Sequence, residues 1–78
     1  MSTKIPIIKV KVLEKLLFAL GFDAKRQSGS HVFYRHADGR YTTLPHHGNQ
    51  DLGRPLIRQI LREIELTPEQ FSENLKKL

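Results

Sequence analysis

The stretch SGSHVFYRHADGRYTTLP, residues Ser28 to Pro45, reads as two strands joined by a turn. His31 to His36 is rich in β-branched and aromatic residues, Ala37-Asp38-Gly39 is a turn signal, and Arg40 to Leu44 is the return strand. Pro45 closes this hairpin at its far end, because a residue without an N–H cannot extend a central strand. Just upstream, Ser28-Gly29 marks a second turn, so Asp23 to Gln27 is expected as a short first strand despite its poor alternation of polar and apolar residues. The result is an antiparallel three-stranded sheet.

The flanks supply helices to cover it. Val12, Leu13, Leu16, Leu17 and Leu20 recur at helical spacing, predicting a helix from about Lys9 to Leu20 that stops at Gly21. Phe22 is placed to fold back on that helix end. Beyond the hairpin, Pro45 to Gly53 reads as a polar loop, and Pro55 suits the first position of a second helix with the stripe Leu56, Ile57, Ile60, Leu61 and Ile64. Thr67-Pro68-Glu69-Gln70 is a capping-box pattern announcing a short last helix. The order α-β-β-β-α plus a C-terminal helix predicts an α+β two-layer sandwich, with the long helices on one face of the sheet and the other face free. At 78 residues the chain is expected to be one domain, with a core over about 9–66 and the terminal helix in 67–78.

Charge is unevenly distributed. Between Ala24 and Arg62 lie Lys25, Arg26, Arg35, Arg40, Arg54, Arg58 and Arg62 against only Asp38 and Asp51, an excess equal to the net charge of +5 for the whole chain. All four histidines fall in the same stretch. This is the electrostatic footprint of a protein that meets a polyanion such as nucleic acid. The chain has no cysteine, which excludes a disulfide framework and a cysteine-based zinc site. Pro6, Lys9, Lys11, Glu14 and Lys15 interrupt the apolar residues between Ile5 and Leu20, so this segment is neither a signal-peptide core nor a membrane span. A cytoplasmic protein is expected.

Gly29-Ser30-His31 delivers an imidazole from a tight turn to the head of a strand, with Lys25, Arg26 and Arg35 as neighbours by sequence or strand pairing. Imidazole titrates near neutrality and is the side chain suited to take a proton from a ribose 2′-hydroxyl, while nearby cations favour its neutral form and stabilise added charge on a phosphate. The same residues also fit a strand histidine packed beside Phe33. Strand parity puts His31, Phe33 and Arg35 on one face and Val32, Tyr34 and His36 on the other without saying which is covered. In Pro45-His46-His47-Gly48-Asn49, His47 suits an acid partner for His31, a phosphate donor or a hydrogen bond to loop backbone. Adjacent histidines without further ligands do not make a metal site, and neither metal nor cofactor is expected. Arg54, Arg58 and Arg62, four residues apart, form a ridge that either grips phosphate at a helix amino end or is simply solvated. Tyr34 and Tyr41 each suit base stacking or cross-strand pairing.

Taken together, Gly21-Phe22, Arg26 to His31, Tyr34-Arg35-His36 with its Asp38-Gly39 turn, Leu44 to Asn49 and a helix ending near Ile64 resemble the HicA (YcfA-like) toxin family. The resemblance runs from about Val10 to Phe71. It implies a fold similar to the double-stranded-RNA-binding domain, an mRNA-cleaving activity, and neutralisation by a HicB-type antitoxin. It also implies that His31, the histidine of the Gly-Ser-His block, is the essential catalytic residue, with His47 matching the second block. Many relatives have another histidine directly after the first, where this chain has Val32. The resulting expectation is a metal-independent endoribonuclease toxin in which His31 is the general base and Lys25, Arg26, Gly29, Ser30, Arg35, Arg54 and Arg58 meet the RNA. The alternatives are a non-catalytic duplex-RNA-binding module gripping phosphates through Arg54 and Arg58, and an inactive relative kept as a partner-binding subunit.

Overall fold

The structure is a computed structural model that describes residues 4–78, so residues 1–3 of the expected domain lie outside the described residues. Its elements in chain order are β1 (Ile8–Lys9), α1 (Val10–Ala19), β2 (Phe22–Ser28), β3 (His31–His36), β4 (Tyr41–Pro45), β5 (Asp51–Leu52), α2 (Arg54–Glu63) and α3 (Pro68–Lys76). β2, β3 and β4 form an antiparallel sheet with β3 in the middle, and β1 pairs with β5 in a second, two-stranded sheet. This is the α+β sandwich of the double-stranded-RNA-binding type, with one addition. The sequence shows neither strand, β5 falling in the segment read as loop and β1 ending on Lys9, read as the start of the first helix, because two-residue strands are too short to show a period.

Helix α1 buries Val10, Leu13, Leu16 and Leu17, and α2 buries Ile57, Ile60 and Leu61. These stripes meet Phe22, Tyr34 and Leu44 from one face of the sheet, together with Ile5, Leu52, Ile64 and Phe71. Each fully buried aliphatic side chain contributes about 1.5–3 kcal/mol by leaving water. Thr42 is buried among them, and its hydroxyl donates to Glu63 Oε1 at 2.8 Å, so the polar group is satisfied. The capping box at α3 forms as read: Thr67 Oγ1 accepts from the Gln70 N–H at 3.1 Å, and Gln70 Oε1 accepts from the Thr67 N–H at 2.9 Å.

Strand β2 is longer than its sequence suggests and contains a bulge. Ala24 pairs with Tyr34 but Arg26 pairs with Phe33, so Lys25 is the extra residue. The bulge explains the poor alternation, since one inserted residue reverses the parity of everything after it. At the helix end, Gly21 has φ +96°, and a Cβ there would stand 3.0 Å from His36 Nε2. That close approach lets His36 Nε2 sit 3.1 Å from the Leu20 carbonyl at the end of α1, where its N–H can donate. The hairpin turn reaches the other helix. Arg40 Nη1 donates to the Ile64 carbonyl at 2.6 Å, which satisfies one of the unpaired acceptors at the end of α2. Glu65 follows with φ +58°, a left-handed conformation that glycine adopts with less strain.

Candidate active site

The turn between β2 and β3 is made possible by Gly29, whose φ of +60° few side-chain-bearing residues adopt. Gln27 Nε2 donates to the Gly29 carbonyl at 3.0 Å and braces the turn. On its far side the Ser30 carbonyl accepts from the His46 N–H, continuing the β3–β4 pairing one step past Pro45. That bond lays Pro45-His46-His47 beside Gly29-Ser30-His31. His47 Nε2 comes 3.4 Å from Ser30 Oγ, and the His31 and His47 rings stand edge to face with centroids 6.5 Å apart. The two sequence blocks therefore meet in space, and the imidazole of His31 lies on the sheet face away from the helices. Among the described residues none hydrogen-bonds the His31 ring.

The remaining side chains of this open face follow from strand register. His31 lies between Ser28 and Pro45, Phe33 between Arg26 and Thr43, and Arg35 between Asp23 and Tyr41. The Arg26 guanidinium lies over the Phe33 ring, 5.3 Å from its centroid. Lys25, at the bulge, is exposed and holds Asp23 only loosely at 3.9 Å.

Directly behind the site is a group of residues that the sequence reading did not join. Tyr34 is fully buried on the covered face, where its hydroxyl donates to Glu14 Oε2 on α1 and stands 2.7 Å from His46 Nε2. Glu14 Oε2 is 3.6 Å from the same His46 nitrogen. Burial, and then the hydrogen bond to Glu14 and its negative charge, push the ionisation of the Tyr34 hydroxyl above the ordinary tyrosine range. Tyr34 is thus unavailable for base stacking, which corrects one of the two readings open for it. The available signal was parity: Tyr34 shares a face with Val32 and His36, and a buried tyrosine hydroxyl needs a partner. Because Tyr34 and Glu14 hold His46 inward, the next residue, His47, is directed to the open side.

Residues 10–66 match the family model described as the HicA toxin of bacterial toxin–antitoxin systems. The chain belongs to the HicA toxin family. The matched segment starts with α1 and ends just after α2, and so takes in the whole β2–β3–β4 sheet and both histidine blocks. No curated protein matches the chain. As a HicA toxin the protein has an antitoxin as its counterpart.

In this HicA chain, position 32 faces the helices: Val32 packs against the core, paired with Gln27 and Leu44. An imidazole at that position would not share a face with His31. The structure also separates the expected RNA-contacting residues into two groups. Gly29, Ser30, Arg26 and Arg35 gather with His31 on the sheet and its turn, and Lys25 stands at the β2 bulge. Arg54 and Arg58 stand on α2, in the helical layer. Arg54 Nε donates to the Ile5 carbonyl at 2.7 Å, and Arg58 borders a surface hollow with Ile5, Leu61, Arg62, Leu66 and Pro68. Arg40 is likewise engaged, by Asp38 at 2.8 Å and by Ile64. No group of three or more His, Cys, Asp or Glu able to hold a metal ion occurs among the described residues, and no helix among them is long and apolar enough to cross a membrane.

Proposed function

We propose that the protein is an endoribonuclease that cleaves mRNA in the cytoplasm without a metal ion, and that His31 is its general base. The His31 imidazole takes the proton of a ribose 2′-hydroxyl, the 2′-oxygen bonds to the adjacent phosphorus, and the bond from phosphorus to the 5′-oxygen breaks. His47, the second imidazole of the open side, gives the departing 5′-oxygen its proton. The products are a 2′,3′-cyclic phosphate and a 5′-hydroxyl. Arg26 and Arg35 offset the charge that builds on the phosphate, Lys25 adds to the positive field, and the turn at Gly29 and Ser30 admits the RNA backbone close to His31.

The observation that carries this reading is the exposed His31 ring, hydrogen-bonded by none of the described residues, with His47 beside it, in a molecule whose other two histidines are bonded inward. The duplex-binding alternative has less behind it, since Arg54 already serves the Ile5 carbonyl. A HicB-type antitoxin would neutralise the protein by covering the His31 face. The test is expression without the antitoxin. Wild type should arrest growth and deplete mRNA, whereas His31→Ala should remain folded and do neither. Equal harm from both chains, or none from the wild type, would remove the catalytic assignment.

A further inference from the structure

The open face is patterned beyond its histidines. His31, Phe33 and Arg35 follow one another at two-residue intervals along β3, about 7 Å per step. Beside Phe33, Tyr41 is 58 % exposed, and the two rings lie 5.6 Å apart with a tilt of 38°. Arg26 covers the Phe33 ring from β2, and Arg35 is the cross-strand partner of Tyr41. Two aromatic rings and two guanidinium groups thus share one solvent-facing surface, next to an imidazole that no described residue hydrogen-bonds.

Each ligand class would use this surface differently. A duplex keeps its bases stacked inside and is recognised through its shape, phosphates and 2′-hydroxyls, so exposed rings do little for it. A single strand presents free base faces, which stack on aromatic rings whatever their identity, while arginines follow its backbone. An acidic protein segment would use the arginines and pack on the rings as well, but nothing in it requires the rings to stand in line with the imidazole along β3. The aromatic and cationic elements together favour the single strand.

We propose that Phe33 and Tyr41 form a base-stacking subsite for single-stranded RNA, with Arg26 and Arg35 holding the phosphates between the stacked bases and the bond cut at His31. This rests on the reading of the protein as an RNA-cleaving toxin, from which it takes RNA as the ligand. It adds a geometric consequence. The strand lies along β3, and the cut falls at a fixed small distance from the stacked bases, so paired segments of an RNA are spared.

The test separates the two readings by using RNA that cannot react. A short fluorescein-labelled pyrimidine oligonucleotide with 2′-O-methyl riboses has no 2′-hydroxyl to be attacked, and a 2′-O-methyl hairpin serves as the duplex. Tyr41→Leu and Phe33→Leu should each weaken binding of the single strand about tenfold, the loss of one stacked base, and leave hairpin binding unchanged. The chain has two tyrosines and no tryptophan, and Tyr34 is buried. Tyrosine emission should therefore fall when the single strand is added to wild type, and the fall should vanish in Tyr41→Leu. That variant alters an exposed ring, so its melting curve should match wild type. Undiminished single-strand affinity in both variants overturns the subsite, as does an equal loss for strand and hairpin. So does a chain that keeps its RNA affinity but escapes a co-expressed antitoxin, which would make the face a protein-docking surface. Unmodified RNA in a parallel reaction reports on the nuclease reading alone. Binding through Tyr41 without cleavage keeps the subsite and refutes the nuclease, and cleavage by wild type with no loss of affinity in either variant does the reverse.

Discussion

The covered and open faces of the β2–β3–β4 sheet each carry aromatic rings and a pair of histidines drawn from the same short strands or the loop that follows them. On the covered side, Tyr34 bonds to both Glu14 and His46, and His36 stands at the Leu20 carbonyl. On the open side, Phe33 and Tyr41 lean on one another, and the His31 ring has no hydrogen bond from any described residue. The contrast teaches that residue type does not assign a role here. What separates an engaged from an available imidazole is whether its nitrogens are already spoken for, and that depends on which face the helices cover.

The sharpest way to break this comparison is to remove one histidine from the open face. His31→Ala should slow cleavage of an RNA oligonucleotide by roughly 10²- to 10⁴-fold, the usual worth of a general base, and leave the melting temperature unchanged. A loss of stability as large as the loss of rate would mean that the two faces are not energetically distinct. Next in size is a change on the covered face. Tyr34→Phe deletes the hydroxyl between Glu14 and His46 and should cost about 1–3 kcal/mol in urea unfolding, the penalty for buried polar partners left unpaired.

That same hydroxyl should show itself in alkali. Its folded-state pKa is raised, so the neutral form contributes stability that is fully present below the unfolded value of about 10 and is lost as pH rises through the folded value. Wild-type stability should fall above about pH 10, and Tyr34→Phe should flatten that part of the decline. Two smaller effects belong to neither face. Glu65→Gly should stabilise the end of α2 by up to about 1 kcal/mol, because glycine adopts positive φ without strain, and should not alter cleavage. Asp38→Asn removes a contribution that is present at neutral pH and fades in acid. The Arg40 backbone N–H foremost, and then the Arg40 side chain and His36, hold the Asp38 carboxyl below the usual carboxylate range. Its contribution is present above the unfolded value of about 4 and is lost as pH falls through the lowered one, so the variant should have a shallower acid limb in a pH series of melts.

Much of this architecture is legible in the sequence. β3 spans His31 to His36 as read, and the stripes of α1 and α2 and the Thr67–Gln70 capping box are all present. Their signals are local, arising from periods and from partners a few residues apart. What was not legible is decided at longer range. Alternation divides β3 into two faces but does not say which one meets the helices, so it leaves Tyr34 open between base stacking and cross-strand pairing and does not reveal its burial against α1. The Lys25 bulge hides its strand by shifting the period midway. The Glu14–Tyr34–His46 group joins residues from a helix, a strand and a loop, which no spacing rule connects. Of the site itself, only one of the three readings of His47, as acid partner of His31, requires the Gly29-Ser30-His31 and His46-His47 blocks to meet, and they do meet in space. The separation of Arg54 and Arg58 from His31 is not legible in the sequence, because four-residue spacing gives a row along a helix and no information on where that helix sits.

The bulge at Lys25 has one more consequence. β2 is an outer strand, and outer strands expose a line of backbone donors and acceptors on which a further strand can assemble, the common route to sheet aggregation. A bulge, with a lysine at its crest, spoils the spacing of that line where it passes behind Arg26 and Phe33. The sheet is discouraged from growing at its β2 edge, the edge beside the open face that carries His31.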